Sequence, residues 1–175
     1  DLKAVARTKN NVAIYIANGH GVWEAALSNV IGEGDTVLVL ATGRFCVGWG
    51  EMADSLGATV ETIDFGDSDA VDLAQVEAAL KADTEGRIKA VLTVLVDTST
   101  GVLNDIKGIR DVLDSTGHAA LLMCDCIASF PIPAPSRLHL STCREPQATP
   151  SMRMARRPAS LHSECRVFIF KGNDL

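Results

Sequence analysis

The sequence predicts an α/β protein with a three-layer, largely parallel sheet, over residues 1–130 of its 175. Three observations carry this expectation. Apolar, β-branched runs alternate with stretches of helical spacing, most of those runs are hydrophobic almost throughout rather than on alternate residues, and glycines punctuate the joins. Strands buried on both faces and connected by crossover helices have this pattern, whereas a half-solvated antiparallel sheet alternates polar and apolar residues.

Five strands are expected: VAIYIA (12–17), TVLVLA (36–41), TVETIDF (59–65), IKAVLTVLV (88–96) and AALLMCD (119–125). Between them lie four helical patterns, at 22–31, 45–56, 73–82 and 106–115. In the third, Leu73, Val76, Ala79 and Leu80 fall on one face and Asp72 stands where an N-cap belongs. Gly32, Gly34, Gly57 and Gly117 follow helix ends, where a left-handed residue is often needed.

Composition breaks near Phe130. Residues 1–130 hold 9 Lys and Arg, 19 Asp and Glu, 13 of the 14 Gly and no Pro, whereas residues 131–175 hold 7 Lys and Arg, 3 Asp and Glu and all 6 Pro. Proline interrupts both helices and ladders, so residues 131–175 read as a separate, irregular Pro/Arg/Ser-rich tail, with one short apolar run at 167–170. A shifted reading frame, altered splicing or a gene-model error is one expectation for so abrupt a change. The first residue, Asp1, likewise suggests a fragment or a processed chain.

Other features narrow the function. The net charge of −6 argues against a nucleic-acid partner held through phosphates. No run approaches the ~20 apolar residues that cross a bilayer, and no targeting signal opens the chain, so a soluble, cytoplasmic protein is expected. Five cysteines without framework spacing suit reduced thiols. No metal site is expected: His118, His139 and His162 lack ligand spacing, and Cys124 and Cys126, two apart on a strand, would point to opposite faces. Trp23 and Trp49 read as helix packing residues.

In an open parallel sheet, ligands bind beyond the carboxyl ends of the strands. The first such turn is Asn18-Gly19-His20-Gly21, opening a helix whose free amides and dipole suit an anion. Taken alone it is a tight turn or a phosphate cradle with equal weight, and it fits neither the dinucleotide nor the P-loop spacing. Read with its surroundings it is more specific. GHGVWEAALSNVIGEGDTVLVLATGRF (19–45), DTSTGVLNDI (97–106) and CDCIASF (124–130), in this order, resemble the class V aminotransferases that use pyridoxal 5'-phosphate, similar to the alanine–glyoxylate and serine–glyoxylate enzymes.

The resemblance implies a fold type I large domain, present in part, and a set of cofactor contacts. Gly19, His20 and Gly21 would line the cofactor's phosphate, Phe45 would stack on its pyridine ring, Ser99 would lie near its phenolic oxygen, and Ile127 would pack on the opposite ring face. Asp125 would pair with the protonated pyridine nitrogen, keeping the ring an electron sink. For Phe45 the competing account is packing on the sheet, for Ser99 turn formation by residues 97–101, and for Asp125 the capping of a strand end. The implied activity moves an amino group from alanine or serine to glyoxylate, in a homodimer, with peroxisomal or mitochondrial relatives also in the family.

The family's Schiff-base lysine, which follows the aspartate, has no counterpart. Residues 126–170 contain no lysine, position 151 is Ser151, and Lys171 stands in the wrong context. No catalytic residue is therefore assigned. The alternatives are a non-catalytic cofactor-binding or dimerising remnant and, further off, a nucleotide-binding module.

Overall fold

The computed structural model describes Lys3 and residues 12–129. The elements run α1 (Gly19–Val30), β1 (Thr36–Ala41), α2 (Arg44–Ser55), β2 (Thr59–Asp64), α3 (Leu73–Ala82), β3 (Ile88–Val94), α4 (Ile106–Thr116) and β4 (Leu121–Asp125). The four strands form one sheet in the order β2-β1-β3-β4, every neighbour parallel. The sequence expectation of an α/β fold with a parallel sheet holds.

Two apolar clusters, one on each side of the sheet, make the three layers. On one face Val37, Val39, Ala41, Leu92 and Met123 pack against Trp23 and Leu27 of α1 and Trp49 and Ala53 of α2. On the other, Leu38, Leu40, Val91 and Leu122 pack against Val76 and Leu80 of α3 and Ile109 and Leu113 of α4. Successive residues of β1 thus serve opposite faces and all six are buried, which is why the strand is apolar throughout. Edge strand β2 is largely exposed and correspondingly polar.

Local signals act as expected at several ends. The Asp72 carboxylate accepts from Ala74 N at 2.9 Å and caps α3. Gly117 ends α4 in the left-handed region, φ 67°, a conformation in which a Cβ would be strained. Gly34 and Gly57 are also left-handed. Gly32 is not: α1 ends through Ile31, an extended residue, and Gly32 N is held by Asp35 Oδ2 at 2.8 Å.

The expected first strand, residues 12–17, does not form. These residues are irregular, and Ile14, Tyr15 and Ile16 are exposed to solvent. A strand exists only through ladder bonds to a neighbour, and none pairs with this stretch among the described residues. Helix α1 begins three residues earlier than its apolar periodicity suggested, taking Gly19, His20 and Gly21 into its first turn. The expected tail, 131–175, lies outside the described residues.

Candidate cofactor site

Connections from β1 lead to β2 on one side and, through β2, to β3 on the other, so the order switches between β1 and β3. That crevice, at the carboxyl ends, is where open α/β sheets bind ligands. The loops after β1 and β3 meet there around Asp97, a fully buried carboxylate. Its Oδ2 accepts from Phe45 N (3.0 Å) and Cys46 N (3.2 Å), and its Oδ1 from Ser99 N (3.0 Å) and Ser99 Oγ (2.6 Å).

Asp97 therefore caps α2 from across the sheet. The residue at that helix's N-cap, Gly43, has no side chain to do so, and the charge lies at the positive end of the helix dipole. Gly43 is also what gives Asp97 room: a Cβ there would lie 2.5 Å from Asp97 Cγ. Ser99 completes the brace, its Oγ accepting from Arg44 N at 2.9 Å. Thr100 Oγ1 donates to Thr42 O at 2.9 Å, and Asn104 Nδ2 reaches both Thr42 Oγ1 (2.8 Å) and Val94 O (2.9 Å), tying the two loops together.

Asp125 ends β4, next to β3, and is 1% exposed. Trp23 Nε1 donates to its Oδ2 at 3.1 Å and Ile127 N to its Oδ1 at 2.8 Å. Burial pushes its carboxyl up from the ordinary aspartate value, against the two donors, and the negative Asp97 adds to the rise while His20 opposes it.

Trp23 joins the parts of this site. Its ring stacks on Trp49 (5.8 Å between centroids, 16° between planes) and meets His20 edge-on at 4.7 Å and Phe45 edge-on at 6.5 Å. Phe45 and Ile127 are half-buried on the same apolar cluster. The structure thus brings His20, Phe45 and Asp125 to one indole, with Ile127 on the same apolar cluster and Gly19 and Gly21 in the helix turn that carries His20. Ser99 stands with Arg44 at the start of α2, and its hydroxyl is engaged by Asp97 and the Arg44 amide. In α1, Asn18 Oδ1 already holds Gly21 N at 2.9 Å.

Two readings change. Trp23 is a hydrogen-bond donor to the buried aspartate as well as a packing residue; the signal was a buried indole one turn into the helix, since such an N–H needs a partner. Cys124 and Cys126 do not point apart, because β4 stops at Asp125 and the chain turns: their Sγ atoms are 3.6 Å from each other. Asp97 was missed as a site organiser, its partners lying some fifty positions earlier in the chain.

Among the described residues no group of three or more His, Cys, Asp or Glu is placed to hold a metal ion, and no helix is long and apolar enough to cross a membrane. The thiol of Cys46, in the core, is pushed far up by burial and donates to Leu40 O at 3.1 Å.

The family model for aminotransferase class-V matches residues 5–133. The chain belongs to the class V aminotransferases. Serine–glyoxylate aminotransferase of Methylorubrum extorquens is 37% identical over 128 residues, 73% of this chain and 32% of that protein. Among solved structures, alanine–glyoxylate aminotransferase from Nostoc sp. matches with a TM-score of 0.66 and 29% identity over 73% of this chain and 33% of its own. Ureidoglycine–glyoxylate aminotransferase from Bacillus subtilis matches with a TM-score of 0.66 and 28% identity over 73% and 32%. This class V chain spans about a third of the length of the relatives it matches, and its sheet is part of the fold type I architecture of pyridoxal-phosphate-dependent aminotransferases.

Proposed function

We propose that residues 12–129 form part of a pyridoxal 5'-phosphate site in a transaminase that passes an amino group from a small amino acid, alanine or serine, to glyoxylate. The observation that carries this reading is Asp125. It is a buried carboxylate with one donor on each oxygen, and a carboxylate has about four lone-pair sites. Capacity therefore remains to accept from a ring N–H, and an ionised Asp125 facing such a cation would recover the cost of its burial. The residues fit the group on this count.

The other parts take their roles from placement. The amides of Gly19 and His20, ahead of the one that Asn18 holds, would take the phosphate at the N-terminus of α1, which is inherently favourable to anions. Phe45 and Ile127 would supply apolar surface for the pyridine ring, and Trp23 would fix the Asp125 carboxylate. When bound, the cofactor supplies an electron sink for carbanion character at the substrate's α-carbon. Glyoxylate is the acceptor in the names of all three relatives, whereas the donor differs among them.

A second reading has its own observation. Residues 126–170 hold no lysine, so an amine able to bond the cofactor covalently is not in its place, and the chain would act as a non-catalytic cofactor-binding or dimerising remnant. One experiment addresses both. The full chain is titrated with pyridoxal 5'-phosphate, following quenching of tryptophan emission, and a borohydride-reduced sample is mapped by mass spectrometry. Saturable quenching, weakened roughly ten- to hundred-fold in Asp125→Asn as expected for a lost charged hydrogen bond, supports the site. Absence of saturable quenching removes it. A lysine specifically reduced onto the cofactor would overturn the remnant reading.

A further inference from the structure

Cys124 is the last but one residue of β4 and Cys126 the first beyond it, with Asp125 between them. The turn that follows draws the second sulfur round: Ser129 N and Ser129 Oγ both donate to Cys126 O, at 3.0 and 3.1 Å, and the two sulfurs come to 3.6 Å. Disulfide bonding needs a separation of about 2.05 Å, so the pair, at 3.6 Å, is in van der Waals contact and closes to a bond only with movement of the backbone between them. Both thiols are free.

We propose that Cys124 and Cys126 are an oxidative modification site, closing to a reversible disulfide around Asp125 under a peroxide. With the sulfurs 3.6 Å apart, the order in which they react leaves the product unchanged; in one order Cys126 meets the oxidant first. Its thiolate attacks a peroxide oxygen, the O–O bond breaks, and the departing hydroxide takes up the thiol's proton as water, leaving a sulfenic acid. Cys124 then attacks that sulfur; the S–S bond forms, the S–O bond breaks, and a second water leaves with the Cys124 proton. Two thiols are oxidised by two electrons and one peroxide is reduced to two waters.

Closure of so small a ring contracts the backbone on either side of Asp125. Its carboxylate then leaves the position in which Trp23 Nε1 and Ile127 N both reach it. The indole of Trp23 reports this through its emission. The inference does not rest on the cofactor reading, and its measurements need no cofactor.

The test treats the full chain with hydrogen peroxide, quenches it, alkylates it in denaturant and digests it with trypsin. Cleavage after Arg110 and Arg137 yields a peptide with Cys124 and Cys126 and no other cysteine. The expected result is loss of alkylation at both sulfurs, a mass lower by two hydrogens than the reduced peptide, and full recovery with dithiothreitol. A parallel change in tryptophan emission disappears in Cys124→Ser and Cys126→Ser. If the peptide stays fully alkylatable, gains oxygen instead, or is joined to Cys46, Cys143 or Cys165, the proposal is wrong. The wild-type peptide decides the matter even where a variant fails to fold.

Discussion

Asp97 and Asp125 sit at adjacent strand ends, both buried, and they are satisfied very differently. Asp97 receives four hydrogen bonds, two on each oxygen, all from its own chain. Asp125 receives two, one on each oxygen, and burial raises its proton affinity. A carboxylate whose lone pairs are filled by the fold holds the fold together. One left with open acceptor sites in a dry place is costly while ionised, and the cost is relieved by taking up a proton or by a further donor.

The largest effect expected is at the scaffold end. Asp97→Ala removes the α2 cap and strands the buried Cys46 amide, at a cost on the order of 3 kcal/mol. Gly43→Ala should cost a similar amount, because its new Cβ would lie 2.5 Å from Asp97 Cγ. Urea midpoints measure both. A wild-type midpoint for Asp97→Ala would show that the cap does not hold the two loops.

The sequence foretold the sheet better than the site, for physical reasons. Runs 36–41 and 88–96 were readable because a strand covered on both faces must be apolar on both. Run 12–17 has the same appearance and no ladder among the described residues, since an apolar β-branched stretch records a fitness for pairing and does not itself supply the partner. Asp125 stood out as an acid closing an apolar run. Asp97 did not, because its serine- and threonine-rich turn accounts for it locally while two of its four donors come from the start of α2. Alternation misplaced Cys126 for a comparable reason: period-2 reasoning lapses at the residue where the strand ends.

The two tryptophans sharpen the comparison at a smaller scale. Trp23 and Trp49 are stacked and both buried, yet Trp23 Nε1 has Asp125 and Trp49 Nε1 has no hydrogen-bond partner among the described residues. Replacing either by Phe removes similar volume, so the cavity cost roughly cancels between the two variants. Trp23→Phe also strips one donor from a buried carboxylate, and should be more destabilising than Trp49→Phe by about 1 kcal/mol. Equal urea midpoints would mean that the indole does not support Asp125.

The finest test is titration, which sets Asp125 against Asp83 at the opposite end of the sheet. Burial opposes ionisation of Asp83 as well, but Ile88 N (2.7 Å), Arg87 N (2.9 Å) and His118 Nε2 (3.2 Å) outweigh it and hold that carboxyl below its ordinary value. That lowering makes Asp83 a stabilising group above the ordinary carboxylate range, lost as pH falls through its folded value. Asp125 has the reverse sign: the folded state keeps its proton after the unfolded chain has released it, so stability falls as pH rises from the ordinary value through the folded one. Urea midpoints from about pH 3 to pH 6, spanning the carboxylate range, should therefore diverge between variants. The stability of Asp125→Asn relative to wild type should climb with pH across that window, and that of Asp83→Asn should decline. A flat difference for Asp125→Asn would mean that ionising Asp125 costs the fold nothing, and the carboxylate would then have no unmet demand for a ligand's positive charge to satisfy.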